Sequence, residues 1–162
     1  MNSAAPYQRI VKAIAIVALL ALVASCARTR ETAGELAAGQ TGPGTQQEFL
    51  VNVGDRVFFE TDSSVLSSQA QDTLNKQAVW LARYARYNVL IEGHADERGT
   101  REYNIALGAR RATAVVNYLV SRGVDANRIT WKSYGKERPV AVCNNISCWS
   151  QNRRAVTVLV AR

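Results

Sequence analysis

One histidine, one methionine and three cysteines are spread over the 162 residues of this chain. So low a count argues against histidine-rich metal centres and against any catalytic triad needing a histidine other than His94. Nor is there an apolar run long enough to cross a bilayer. The uncharged stretch from Ala13 to Ala24 would make a helix of about 18 Å, against the roughly 30 Å of a hydrocarbon core. What is present reads as one ordinary folded domain. Hydrophobic residues make up 48% and charged residues 20% of the chain, which rules out wholesale disorder. Twenty lysines and arginines against 13 acids give a formal charge of +7, a balance that points to a polyanionic partner: nucleic acid, a membrane surface or a wall polymer.

The first segment is an address. Arg9 and Lys12 precede the short apolar run, which ends in small residues, the order of a secretory signal. Val23-Ala24-Ser25-Cys26 resembles a bacterial lipobox, in which the cysteine is lipidated and becomes the mature N-terminus. Several acyl chains at about 0.8 kcal/mol per buried methylene would hold the chain durably on a membrane. Ala27 is not the aspartate that retains many such lipoproteins in the inner membrane, and by that analogy the outer membrane is the expected address. Loss of residues 1–25 removes Arg9 and Lys12 and leaves 18 basic residues against 13 acidic ones, +5 in all. From Arg28 to about Gln47 the chain is rich in Ala, Gly, Thr and Gln with little apolar periodicity, and it reads as a flexible tether. The expected organisation is therefore signal 1–25, lipidated N-terminus and tether 26–47, and domain 48–162.

Within the domain, strand and helix patterns alternate. Val57-Phe58-Phe59 is a short strand candidate. Ser68 with Gln71 forms a possible capping box, followed by Ala70, Leu74, Ala78, Leu81 and Ala85 at helical spacing. Asn88 to Gly93 reads as a buried strand, and His94 to Gly99 as a loop. A second helix runs from about Glu102 to Arg122 with a core stripe of Ile105, Ala109, Ala112, Val116 and Leu119, stopped by Gly123. Ile129 to Ser133 and Ala155 to Val160 complete the strands, the last with Val156, Val158 and Val160 on one face. The class is α/β, an α+β sandwich of β-α-β-α-β-β order with a mixed sheet and helices packed on it.

The stretch from Ile91 to Leu119 carries the most chemical information. Asn104, Leu107 or Gly108, and Arg111 share one face of the second helix, offset from the stripe through Ile105. Asp96 stands in the loop before that helix, so its carboxylate and the Arg111 guanidinium can flank one cleft. The spacing Gly93-x-x-Asp96-x-x-Gly99, then Tyr103-Asn104-x-x-Leu107, then Arg110-Arg111-Ala112, resembles the OmpA-like peptidoglycan-binding domain family. Tyr134-Gly-Lys-Glu-Arg-Pro139 and Asn152-Arg-Arg154 continue the match over about Val57 to Val160. Within that family the lipobox and tether resemble those of the lipid-anchored members that work with TolB in the Tol-Pal system.

The resemblance implies a non-catalytic protein that grips peptidoglycan by the meso-diaminopimelate of its stem peptide. It also implies residence in the outer membrane with the domain in the periplasm, docking to TolB, and a part in outer-membrane constriction at division. Asp96 and Arg111 match the family's ligand-holding pair, and Asn104, Leu107, Phe59, Thr61 and Asp62 its supporting wall. An arginine fork suits the ligand's carboxylate better than a lysine. No cofactor or metal is called for beyond the lipid on Cys26.

Other readings compete. Asp96 could merely brace its loop and Arg111 make a surface ion pair worth under about 1 kcal/mol. Asp96 and Glu97 could suggest a glycosidase pair in a wall-trimming enzyme, yet adjacent carboxylates rarely face each other across a sugar at about 5–9 Å. His94 lacks the partner histidines of a metal site and reads as a satisfied strand-end histidine. Trp80, Trp131, Tyr103 and Tyr118 are spaced as core or rim aromatics and not as the basic stacking strip of a nucleic-acid binder. Export likewise speaks against nucleic acid. Cys143 and Cys148, in a segment bound for an oxidising compartment, read as a local disulfide; a zinc site recruiting His94 is the rival.

Overall fold

The computed structural model describes residues 42–161. The expected signal, lipidation at Cys26 and tether as far as residue 41 lie outside the described residues. Folded structure starts ahead of the expected boundary at residue 48: the compact unit begins at Gly42. A helical turn at Gln46–Glu48, capped by the Thr45 side chain, widens into a π-type turn at Phe49–Val53. There Phe49 is wholly buried against Trp80, ring centres 4.9 Å apart.

One mixed sheet of four strands organises the domain: β1 (Arg56–Phe58), β2 (Tyr87–His94), β3 (Ile129–Gly135) and β4 (Arg154–Ala161). Its order is β1–β4–β2–β3, with β2 antiparallel to β4 and parallel to β3. Helices α1 (Ser68–Arg83) and α2 (Arg101–Ser121) form the crossovers, and a short helix α3 (Ile146–Asn152) precedes the last strand. The α+β class expected from the pattern holds, with α3 as an addition to the expected order. Val57, Val89, Ile91, Ala155 and Leu159 on the sheet meet Leu74, Leu81, Ala112, Val115 and Leu119 on the helices in one core.

Two local expectations shift. The cap of α1 is Ser67, one residue earlier than predicted, and its hydroxyl accepts from the Ala70 N–H at 3.2 Å; the helix ends at Arg83, before Ala85. The inner face of α2 carries Asn104, Leu107, Gly108, Arg111, Ala112, Val115 and Leu119. The stripe is thus rotated by about one residue, so the polar row expected beside the core is part of it. Val156, Val158 and Val160 share a face of β4 as expected, and the alternate row of Ala155, Thr157 and Leu159 is the buried one. Thr157 remains dry by donating to the Gln77 side chain at 2.8 Å, which itself donates to the Gly54 carbonyl at 2.7 Å.

Close approach of α2 to β2 fixes the level of everything at the end of β2. A methyl group on Gly93 would fall inside the radius of the Gly108 carbonyl oxygen, and one on Gly108 would strike the Ser133 hydroxyl. Backbone meets backbone here, and neither side can yield. Gly93→Ala is therefore expected to lower the unfolding free energy by about 2–3 kcal/mol, the cost of an overpacked core, read from the urea midpoint at unchanged slope.

Candidate functional site

At His94 the chain leaves β2, passes through residues 95–100, and enters α2, capped by the Thr100 hydroxyl on the Tyr103 N–H. Two side chains hold this loop in shape. Asn104 donates to the carbonyls of Arg98 at 2.7 Å and Thr100 at 3.0 Å, and Lys136 to those of Glu97 at 3.2 Å and Gly99 at 2.7 Å. Across the opening, the turn after β1 brings Asp62, in left-handed backbone conformation at φ 54°, to accept from the Tyr103 hydroxyl. The result is a cleft of about 300 Å³. Thr61 and Asp62 line it from the turn, Asp96, Arg98 and Gly99 from the loop, and Tyr103, Asn104 and Leu107 from α2.

Of the expected site residues, Asp96, Asn104, Leu107, Thr61 and Asp62 meet at this cleft. Arg111 and Phe59 do not line it. Arg111 is fully buried beneath, its Nε donating to the Ser63 carbonyl at 2.8 Å, Nη1 to His94 at 2.8 Å and Nη2 to Glu60 at 3.1 Å. The Phe59 ring packs 5.2 Å under that guanidinium. Three of the five arginine N–H groups thus stitch the turn after β1 to the end of β2. Burial and the neighbouring Arg153 lower the Arg111 pKa to about 10, which leaves it charged at neutral pH.

Asp96 is 7% exposed. Burial pushes its carboxyl up, but bonds from the Arg98 side chain and backbone, with the charges of Arg98 and Arg153, hold it below its ordinary value. Arg98 and Arg153 are the residues that sequence reasoning missed. Arg153 sits in the expected Asn152-Arg-Arg154 match and donates through Nε to the Phe59 carbonyl at 3.0 Å, with Nη1 3.6 Å from Asp96. Arg98 was not singled out in its loop, and only the fold shows it gripping Asp96. Trp149 of α3 was not singled out either: its ring lies 4.2 Å under the Arg98 guanidinium and its indole N–H reaches Glu97.

His94 is the buried last residue of β2, stacked on Tyr134 at 5.5 Å. Its nitrogens have no hydrogen-bond partner among the described residues, so the expected satisfied histidine is corrected to an unsatisfied, neutral one. Burial first, then the charges of Arg154 and Arg138, lower its pKa to about 4; Glu92 stands 3.6 Å away. Cys143 and Cys148 are joined in a disulfide with Cα atoms 5.6 Å apart. Among the described residues no cluster of side chains suits a metal ion, and no helix is long and apolar enough to cross a membrane.

A small mixed-sheet domain with a charged cleft at the carboxyl end of its central strand, floored by a buried arginine, defines a class of binding module. The OmpA family model matches residues 58–153. A peptidoglycan-associated lipoprotein of Rhizobium meliloti is 62% identical over 151 residues, covering 90% of this chain and 85% of that one. The crystal structure of the peptidoglycan-associated lipoprotein from Burkholderia pseudomallei superposes with a TM-score of 0.64 at 42% identity, over 65% of this chain and 90% of that one. The C-terminal domain of Helicobacter pylori MotB, at 22% identity and a TM-score of 0.62 over 67% of this chain and 85% of that one, shares the fold. The chain belongs to the OmpA family, and within it to the peptidoglycan-associated lipoproteins, a non-enzymatic group.

Two outcomes follow from the burial of Arg111 and His94. Arg111→Lys keeps the charge but cannot serve three separated carbonyls. It is expected to lower stability by about 2–3 kcal/mol through buried acceptors left unpaired, measured by urea denaturation. His94 has a folded pKa of about 4, below an unfolded value near 6.5. Neutral His94 therefore adds stability that is complete above about pH 6.5 and is lost as the pH falls toward 4. Unfolding at pH 7 and pH 5 should differ by about 2 kcal/mol from this residue, and His94→Gln should flatten the difference.

Proposed function

We propose that this chain is a non-catalytic outer-membrane lipoprotein that binds the meso-diaminopimelate stem peptide of peptidoglycan in the cleft around Asp96 and so tethers the membrane to the wall. The observation that carries the reading is the cleft itself: an ionised, largely buried Asp96 in an opening lined also by Asp62, with Arg98 and Arg153 beside its carboxylate. The free end of diaminopimelate bears an ammonium and a carboxylate on one carbon. Asp96 receives the ammonium, while Asn104, Leu107, Thr61 and Asp62 shape the wall around it. Arg111 and Phe59 act from below: the guanidinium sets the Glu60–Ser63 turn and supplies positive charge under the ligand's carboxylate.

Lipidation at Cys26 supplies the membrane end, and residues 26–41 the reach. The names of the relatives support a peptidoglycan ligand, and the resemblance of lipobox, tether and domain in that order supports work with TolB in a Tol-Pal assembly during envelope constriction. A wall-trimming activity finds no support in the geometry. Asp96 is ionised and accepts from Arg98, so it has no proton to give a leaving group, and Glu97 turns its carboxylate to Trp149.

The test is co-sedimentation of residues 42–162 with diaminopimelate-type sacculi at low and moderate salt. Wild type should pellet at both salts and Asp96→Ala should fall to a tenth or less of that retention, as loss of a charged contact worth about 1.5–3 kcal/mol requires. Equal pelleting of both proteins, reversed by salt, would leave only a diffuse charge attraction and remove the cleft from the function.

A further inference from the structure

Asp96 is already occupied. An ionised carboxylate offers about four acceptor positions, and a single residue takes three of them. Arg98 donates through Nε to Oδ1 at 3.0 Å, through its backbone N–H to Oδ1 at 3.2 Å and through Nη2 to Oδ2 at 2.8 Å. The remaining side of Oδ2 faces Nη1 of Arg153 at 3.6 Å. An incoming ammonium thus meets a carboxylate fenced by two guanidinium groups.

The two fences differ in mobility. Arg153 is locked: its side chain is 6% exposed and its Nε is bonded to the Phe59 carbonyl. Arg98 is not, because its side chain is 41% exposed and its guanidinium lies 4.2 Å over the Trp149 ring, a surface that can keep a cation after the carboxylate has let it go. The Arg98 backbone N–H stays on Oδ1 whatever the side chain does, so the loop does not have to unfold when the fork opens.

We propose that Arg98 is a built-in competitor for the cleft: its guanidinium stands on Asp96 in the place of a ligand's ammonium and lets the carboxylate go, held by the Trp149 ring it already stacks on, when that ammonium binds. The proposal rests on the reading of Asp96 as the ammonium acceptor given above. It makes the cleft self-neutralised when empty, so stray cations meet an internal rival. It also makes affinity for an amine-bearing ligand smaller than the contacts alone would give. Only ligands that carry the ammonium have to displace Arg98; those without it leave the fork closed.

The experiment uses residues 26–162 with Cys26→Ser and two probes. One is the tripeptide L-alanyl-γ-D-glutamyl-meso-diaminopimelate, the other the same tripeptide with a hydrogen in place of the distal amine. Affinities are measured by calorimetry for the otherwise wild-type protein and for Arg98→Gln, whose urea midpoint is checked alongside. Arg98→Gln is expected to bind the amine-bearing tripeptide about three- to tenfold more tightly, the scale of a partly exposed ion pair, and the deaminated one with unchanged affinity. Arg98→Lys, which keeps a cation but loses the fork, should fall between. Weaker or unchanged binding of the amine-bearing peptide by Arg98→Gln would overturn the competitor role, and so would an equal gain for both peptides. If the Cys26→Ser protein binds the amine-bearing peptide no better than the deaminated one and Asp96→Ala changes neither, the reading of Asp96 itself fails and the competitor falls with it.

Discussion

A single buried guanidinium bonded to three backbone carbonyls is the joint on which this domain turns. Arg111 reaches from the middle of α2 to Ser63 and Glu60 on one side and His94 on the other. These carbonyls come from two separate parts of the chain, the turn after β1 and the end of β2, which no ladder hydrogen bond connects. Taking a charge out of water is costly unless every direction is answered. Here three charge-assisted bonds, the Phe59 ring below and the attraction of Asp96 and Asp62 offset that cost. Without them the turn carrying Thr61 and Asp62 would face Asp96 with little beyond the exposed Tyr103–Asp62 bond to hold it.

Arg111 also sets the local charge balance. Arg98 and Arg153 stand against Asp96, and Arg111 is drawn by both Asp96 and Asp62, so the buried anion is balanced by arginines from three parts of the chain. Each arginine spends its donors differently, on a carboxylate, on a fan of carbonyls or on a single carbonyl. Only a planar group with five N–H donors can be divided in this way. Lysine appears at the rim, where Lys136 ties down two loop carbonyls, a task a point charge can do.

Much of this was legible in the sequence, and the gaps have physical causes. The strands and both long helices were readable because their apolar periods are strong. Helix geometry put Asn104 and Leu107 on the face beside the Asp96 loop, while Thr61 and Asp62 were named only through the family resemblance; all five line the cleft. Arg111 was found, but its fork was assigned to a ligand: a sequence shows which helix face a residue shares, and not whether backbone carbonyls from 48 and 51 residues away will claim its donors first. The stripe on α2 was misread for the same reason, since a buried arginine and a buried asparagine do not count as core in a hydrophobic pattern. The valine row of β4 was read as one face, but which face meets the core was not legible, because the open face of a sheet can be as apolar as the covered one. Arg98 and Trp149 are 51 residues apart and could be paired only by the fold.

Where the chain enters the domain has a mechanical meaning. Gly44 is clamped at the start of β2: its N–H donates to Glu48 at 2.6 Å, and its carbonyl accepts from the Tyr87 hydroxyl at 2.9 Å and from Arg86. The cleft lies at the other end of the same strand, about 25 Å away at roughly 3.3 Å per residue. A pull between a membrane anchor and a wall ligand would therefore run along β2, the strand bonded on both sides, to β4 and β3. Its ladder bonds lie across that direction, so they are sheared together and share the load, where a pull across the sheet would unzip them one by one. The topology that places the cleft is also the one that resists tension best.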